Sequence, residues 1–228
     1  MKIIGTIATT QEVFFLRTPV DRILFLSLLF SGLLIIGRTL HTGSLTFAFL
    51  TWNLFLAYIP YAITNWLQYK SGLKLRSFKG TAVFIGWLLF IPNSFYILTD
   101  LFHLGSGDGA PLWYDLALIL SCAWNGLLLG LVSVRQMEKF LQASFDRTNE
   151  WVFIFPVMFL NALGVYIGRY LRFNSWDVIT NPFGLIADMY FMITHPIRNV
   201  NGWAMIICFS LFLSIIYVTA KEVSKAFK

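Results

Sequence analysis

Apolar residues run along this chain in long blocks separated by short polar stretches, and the blocks are too long for strands. A helix needs about 20 predominantly apolar residues to cross a bilayer. Six blocks meet that length: 22–41, 44–67, 81–101, 111–134, 151–171 and 203–220. The first is the weakest, because its uncharged part runs only from Ile23 to Gly37, so Arg22 and Arg38 are expected to snorkel at its two ends. Between the last two blocks, 182–194 is apolar apart from Asp188. It is too short to span and reads as an interfacial or re-entrant helix. Ahead of the first block, Thr9-Thr10-Gln11-Glu12 fits the capping signal of a short helix on the membrane surface.

Charge orients these blocks. The segments 1–22, 68–80, 135–150 and 221–228 hold 13 of the 17 Lys and Arg, including every Lys. Basic residues stay on the cytoplasmic side of a membrane. The expected fold is therefore all-α: a polytopic membrane helix bundle of six transmembrane helices, a single domain over 1–228, with N- and C-termini cytoplasmic. Composition agrees, with 57% hydrophobic and only 12% charged residues, where a soluble domain carries about 25% charged. The net charge of +6 follows the membrane segments and does not point to nucleic acid. Cys122 and Cys208 lie in apolar runs without metal-ligand spacing and read as inert thiols.

Polar groups inside lipid are costly unless paired, so each is a candidate for function. Asn53, Asn93, Asn125 and Asn161 fall within four of the blocks; their simplest role is hydrogen bonding between helices. In the third block, Asn93, Tyr96, Asp100 and His103 stand at i, i+3, i+7 and i+10, one face of an α-helix, and Pro92 predicts a kink where that stripe begins. The fourth block carries Asp115, Cys122 and Asn125 on one face; the fifth carries Asn161, Gly168 and Arg172, with Arg169 beside them. Gly126/Gly130 and Gly164/Gly168 have the small-xxx-small spacing that lets helices approach closely. Asn174, Trp176 and Asp177 follow the fifth block, and all three histidines, His41, His103 and His195, fall on the outward side. The acids assigned to the inner side all lie in loops, tails or their boundaries, so the charged cluster at helical depth is expected at the outer end. There, Asp100 or Asp115 is expected to pair with Arg169 or Arg172. Such a cluster serves either as a site or as an ion-paired plug.

Two strings in this region are similar to a known family. Phe90-Ile-Pro-Asn-Ser-Phe-Tyr-Ile-Leu-Thr-Asp-Leu-Phe-His-Leu104 and Gly168-Arg-Tyr-Leu-Arg-Phe-Asn-Ser-Trp-Asp177 resemble an uncharacterised family of bacterial integral membrane proteins, domain of unknown function 1361. Trp52-Asn-Leu-Phe-Leu-Ala-Tyr-Ile-Pro60 and Trp113-Tyr-Asp115 fit it too, and the resemblance spans roughly residues 45 to 220. It implies a multi-spanning protein of the bacterial cytoplasmic membrane and transfers neither an activity nor a catalytic residue.

Three functions compete. The first is binding or transport of a small anionic or zwitterionic molecule in an outward pocket of Asn53, Asn93, Tyr96, Asp100, Asp115 and Arg169, where Arg169 and Arg172 could clamp a carboxylate or phosphate. His103, Asn174 and Asp177 complete the expected ligand-binding set. The second is an intramembrane enzyme on a lipid or lipid-linked substrate, with His103 and Asp100 or Asp115 as an acid–base pair. The third is a structural or assembly subunit. No cofactor is expected: Gly105-Ser-Gly-Asp-Gly109 lacks the lysine of a P-loop. Nor is a metal expected, because nothing brings the three histidines together. The expected partners are membrane lipid, a small-molecule or lipid-linked ligand, and a further membrane protein.

Overall fold

Helix signals in the sequence set the element boundaries. A computed structural model describes residues 18–69, 75, 77–107, 109–143 and 150–226. α1 (Pro19–Thr42) starts at a capping box. The Thr18 hydroxyl accepts from the Asp21 N–H at 3.1 Å, and the Thr18 N–H donates to the Asp21 carboxylate at 2.7 Å. Gly43 ends the helix in the left-handed region at φ 66°, where a side chain would be strained. α2 (Phe49–Tyr69) and α3 (Phe78–Tyr96) follow. α3 runs unbroken through Pro92, and its form changes five residues later, where Ile97–His103 tightens into a 3₁₀ helix. α4 (Leu112–Gln142) is the longest helix; α5 (Glu150–Tyr166) ends in a π-turn over Ile167–Leu171. The single turn α6 (Asp177–Thr180), α7 (Pro182–Thr194) and α8 (Val200–Ala226) complete the order. The surface helix expected near 9–12, and most of the Lys-rich loop 70–79, lie outside the described residues.

The described residues are all-helical, and five helices are long and apolar enough to cross a membrane: Pro19–Thr42, Phe78–His103, Leu112–Gln142, Trp151–Leu171 and Val200–Ala226. α2 has 21 residues, about 31 Å at 1.5 Å per residue, but its apolar run is diluted by Asn53, Thr64, Asn65 and Gln68. α4 is the central helix: 61% of its most apolar stretch is buried, against 22–33% in the other four. It divides the core in two. On one side Leu24, Ile35, Leu50, Ala57, Leu118 and Ile119 join α1, α2 and α4. On the other, Trp87, Ile91, Val134, Met158, Leu213 and Tyr217 join α3, α4, α5 and α8.

Both small-xxx-small patterns dock the same helix from two sides. A Cβ added to Gly126 of α4 would stand 2.6 Å from the Ser94 carbonyl of α3, and one on Gly130 would meet the Phe95 ring at 2.8 Å. From the other side, Gly164 of α5 receives the Pro92 ring, which a Cβ would meet at 2.6 Å, and Gly168 lies against Tyr96. α3 is thus gripped between α4 and α5, which fixes the height of its polar end. α7 is helical over 182–194 as expected and buries only Met192, while Phe183, Ile186 and Tyr190 are exposed.

Candidate functional site

At the end of the bundle where α3 and α5 finish, Arg169 organises the polar side chains. Its terminal nitrogen lies 2.5 Å from Asp100 Oδ1, its Nε donates to the Thr99 hydroxyl at 2.9 Å, and its other terminal nitrogen meets His103 Nε2 at 3.1 Å. A guanidinium has no acceptor, so the imidazole nitrogen accepts. The same guanidinium sits 4.5 Å over the Tyr96 ring, a cation–π contact. Asp100 is buried, and its second oxygen accepts from Asn53 Nδ2 of α2 at 2.8 Å.

Local helix form explains this convergence. In a 3₁₀ helix residues i and i+3 eclipse, which stacks Asp100 and His103 on one side. The π-turn adds a residue to the last turn of α5, so the α-helical register that would align Arg172 with Asn161 does not hold past Ile167. Arg169 faces the bundle, and Arg172 is exposed at φ 61° as the turn's left-handed cap. Arg172 makes no ion pair among the described residues. The two-arginine clamp is therefore not assembled, and each nitrogen of Arg169 already has a protein partner.

Beside this hub, α2, α3, α5, the segment before α7 and α7 itself line a cleft of about 310 Å³. Its walls are apolar, including Leu88, Leu163 and Leu185, and its polar groups are Asn53, Asn93, Tyr96, Asn174 and Ser175. Asn93 donates to the Ser175 hydroxyl at 2.9 Å and to its own helix at the Phe90 carbonyl. Trp52 and Trp176 meet edge-on at the rim, with ring centres 6.4 Å apart. The stripe read on α3 therefore splits: Asn93 and Tyr96 line the cleft, while Asp100 and His103 stand behind its wall on Arg169. Asp177 turns back on its own segment, accepting from the Asn174 N–H at 2.6 Å and the Thr180 hydroxyl at 2.8 Å. These bonds, the backbone one first, hold its carboxyl below the usual carboxylate range.

Asp115 belongs elsewhere. It takes Arg38 of α1 through two hydrogen bonds, Nε–Oδ1 at 2.7 Å and the terminal nitrogen to Oδ2 at 3.2 Å. Arg38 is 2% exposed and lies 4.4 Å over the Phe47 ring. One expectation is corrected here, since Arg38 does not snorkel; of the two acids offered for the arginine pair, Asp100 takes Arg169 and Asp115 takes Arg38. An ion pair buried against α4 satisfies a charge that lipid would leave bare. The rest of the α4 stripe also faces α1. Asn125 donates to the Ser31 hydroxyl at 2.9 Å and to the Ser27 carbonyl, and Cys122 is buried beside them. That face is a packing seam. Asn161 bonds only its own helix, at the Val157 carbonyl. His41 is exposed, and His195 is exposed and stacked on Phe191. Among the described residues no three His, Cys, Asp or Glu gather in metal-binding range.

The opposite end carries a second buried network, which corrects the expectation that acids at that end lie only in loops, tails and boundaries. Glu138 of α4, 1% exposed, accepts from the Tyr217 hydroxyl at 2.5 Å and from Lys221 Nζ at 3.0 Å, both on α8, and pairs with Arg135. Asp21 is buried and accepts from the Tyr61 hydroxyl of α2. Helical spacing held the available signal: Tyr217 and Lys221 are four apart, as are Tyr61 and Asn65, so each pair shares a face.

Helices tied across their faces by buried ion pairs, with apolar surface outward, make a multi-pass membrane protein. The chain belongs to the family described as Protein of unknown function (DUF1361), which matches residues 52–216. No curated protein and no solved structure matches it.

Proposed function

We propose that this protein binds a small zwitterionic or anionic molecule bearing an apolar tail in the cleft between α2, α3 and α5, as a binding or transport protein of a bacterial cytoplasmic membrane. In this reading α2 is the sixth span, both termini are cytoplasmic, the cleft end faces outward and α7 lies at the outer interface. The observation that carries it is a cleft that Asn53, Asn93 and Asn174 line, with walls otherwise mainly apolar. Clefts of about 300–1,000 Å³ with a few placed polar groups are the usual form of small-molecule sites. Amides both donate and accept, which suits a head carrying both charges, and Leu88, Leu163 and Leu185 suit a chain. Arg169 stands one ring away, behind Tyr96 and paired with Asp100, and makes no direct contact with the cleft.

The enzyme reading has less support. Both oxygens of Asp100 accept protein hydrogen bonds, and His103 is engaged by Arg169, so neither is poised on a group in the cleft.

Native mass spectrometry of protein purified in mild detergent tests the proposal. Wild-type protein should carry a co-purified amphiphile or take up a lysophospholipid probe, and both Asn93→Leu and Leu163→Trp should reduce occupancy at least tenfold. Unchanged uptake in both variants would sink it, and turnover of the probe would promote the enzyme reading.

A further inference from the structure

At the opposite end, α1, α2, α4 and α8 surround a second cavity of about 420 Å³. We propose that it is a site for the headgroup of an anionic glycerophospholipid, of the phosphatidylglycerol type, independent of the cleft. Three cations, Arg135, Lys139 and Lys221, line it, and its inner wall is Leu128, Leu131 and Val132. All three cations lie near the last turns of α4 and α8, and the leucines lie one to two turns deeper on α4. That order, cationic rim above apolar floor, matches a phosphate at headgroup level above the start of an acyl chain, and basic pockets between transmembrane helices are a known form of lipid recognition.

Charge balance favours an anion. Among the described residues, Glu138 and Asp21 stand behind the walls and Glu222, paired with Lys225, lies near Lys221, against three lining cations. Glu138 already holds Arg135, Tyr217 and Lys221, and Asp21 holds Tyr61 and the Thr18 N–H. Lys139 is exposed and makes no ion pair among the described residues. The network thus fixes Arg135 and Lys221 in place while leaving the rim positive. Net charge then selects the head. Phosphatidylglycerol brings a phosphate with no cation of its own, whereas a choline or ethanolamine head carries an ammonium that would sit among three cations.

The test titrates the full chain in detergent with phosphatidylglycerol, phosphatidylcholine or inorganic phosphate, read by native mass spectrometry and by thermal stability. Phosphatidylglycerol should be retained at least tenfold better than phosphatidylcholine and should raise the unfolding temperature. The pair Arg135→Gln/Lys139→Gln should lose that preference, Arg135→Lys/Lys139→Arg should keep it, and Lys225→Gln on the same end should not alter it. If the double variant does not fold, Lys139→Gln alone should still weaken retention several-fold. Equal retention of both lipids, or a wild-type preference in the glutamine variants, overturns the proposal. So does stabilisation by inorganic phosphate equal to that by the lipid, which would make this a soluble-anion site.

Discussion

Arg38 on α1 and Asp115 on α4 form a two-point ion pair at 2.7 and 3.2 Å, with neither side chain more than 2% exposed. It joins the first helix to the central one near the cleft end of the bundle. Removing one partner leaves the other charge buried and uncompensated, at a cost of about 3–5 kcal/mol. Arg38→Ala and Asp115→Ala should therefore each lower the unfolding temperature in detergent sharply, by similar amounts. Arg38→Met/Asp115→Leu should recover most of the loss, because an apolar pair of similar volume is often no worse than the ion pair. Two full, additive losses in the double variant would show that the groups act separately.

Arg169 gives a graded expectation. Lysine keeps the charge but has neither the planar fork nor the length of contact to reach Thr99, Asp100 and His103 at once. Arg169→Lys should cost about 1–3 kcal/mol, in the range for hydrogen bonds to charged groups. Arg172→Ala, at an exposed position, should stay within about 0.5 kcal/mol. Chemical or thermal unfolding of the two variants side by side checks this, and equal effects would mean that Arg169 is not the hub.

The all-helical class and the apolar spans were legible in the sequence because apolar blocks are properties of whole segments. The Asp100–Arg169 pair was legible too, since both charges sit near block ends on the same side. What escaped was register. The change to 3₁₀ at Ile97 and to a π-turn at Ile167 alters residues per turn, and no local composition announces it, so Arg172 was given a face it does not hold. Arg38 was misplaced for another reason. A lone Arg near the end of an apolar run fits snorkelling as well as pairing, and only the packing of α1 on α4 decides between them. The Glu138 network was hidden because its partners on α8, Tyr217 and Lys221, are 79 and 83 residues away in sequence and only the packing of α8 on α4 brings them to Glu138.

Glycines on α4 and α5 separate close packing from helix propensity. An alanine at Gly126 would place its methyl 2.6 Å from a backbone carbonyl that cannot move alone, and one at Gly164 meets Pro92 at the same distance. Overpacking of this kind costs about 1–3 kcal/mol. Gly32 and Gly86 have nothing within 4 Å of the added carbon, so alanine there should be neutral or stabilising by up to about 1 kcal/mol through helix propensity. The four variants, compared by thermal unfolding, should fall into these two classes; a stable Gly126→Ala would mean that α3 and α4 can separate freely.

Orientation in the membrane follows from where the cations stand, and a labelling experiment reads it directly. The Glu138 end collects Arg22, Lys79, Arg135, Lys139, Lys221 and Lys225 near helix ends, against Arg38, Arg169, Arg172 and Arg198 at the cleft end, and every described Lys is at the Glu138 end. Lys and Arg near the ends of spans resist translocation whether or not an acid stands beside them, so the Glu138 end should be cytoplasmic. Reporter positions must be exposed and free of the ion pairs. Gly107 fails, since an added Cβ would clash with the Arg38 guanidinium; Ser106 and Ala143 are both exposed. In a background with Cys122 and Cys208 replaced by alanine, Ser106→Cys should react with an impermeant thiol reagent on intact cells. Ala143→Cys should react only after the membrane is opened. Reaction at Ala143 alone would invert the bundle and place the cleft in the cytoplasm. Reaction at both would mean that Leu112–Gln142, the helix joining them, does not cross the membrane.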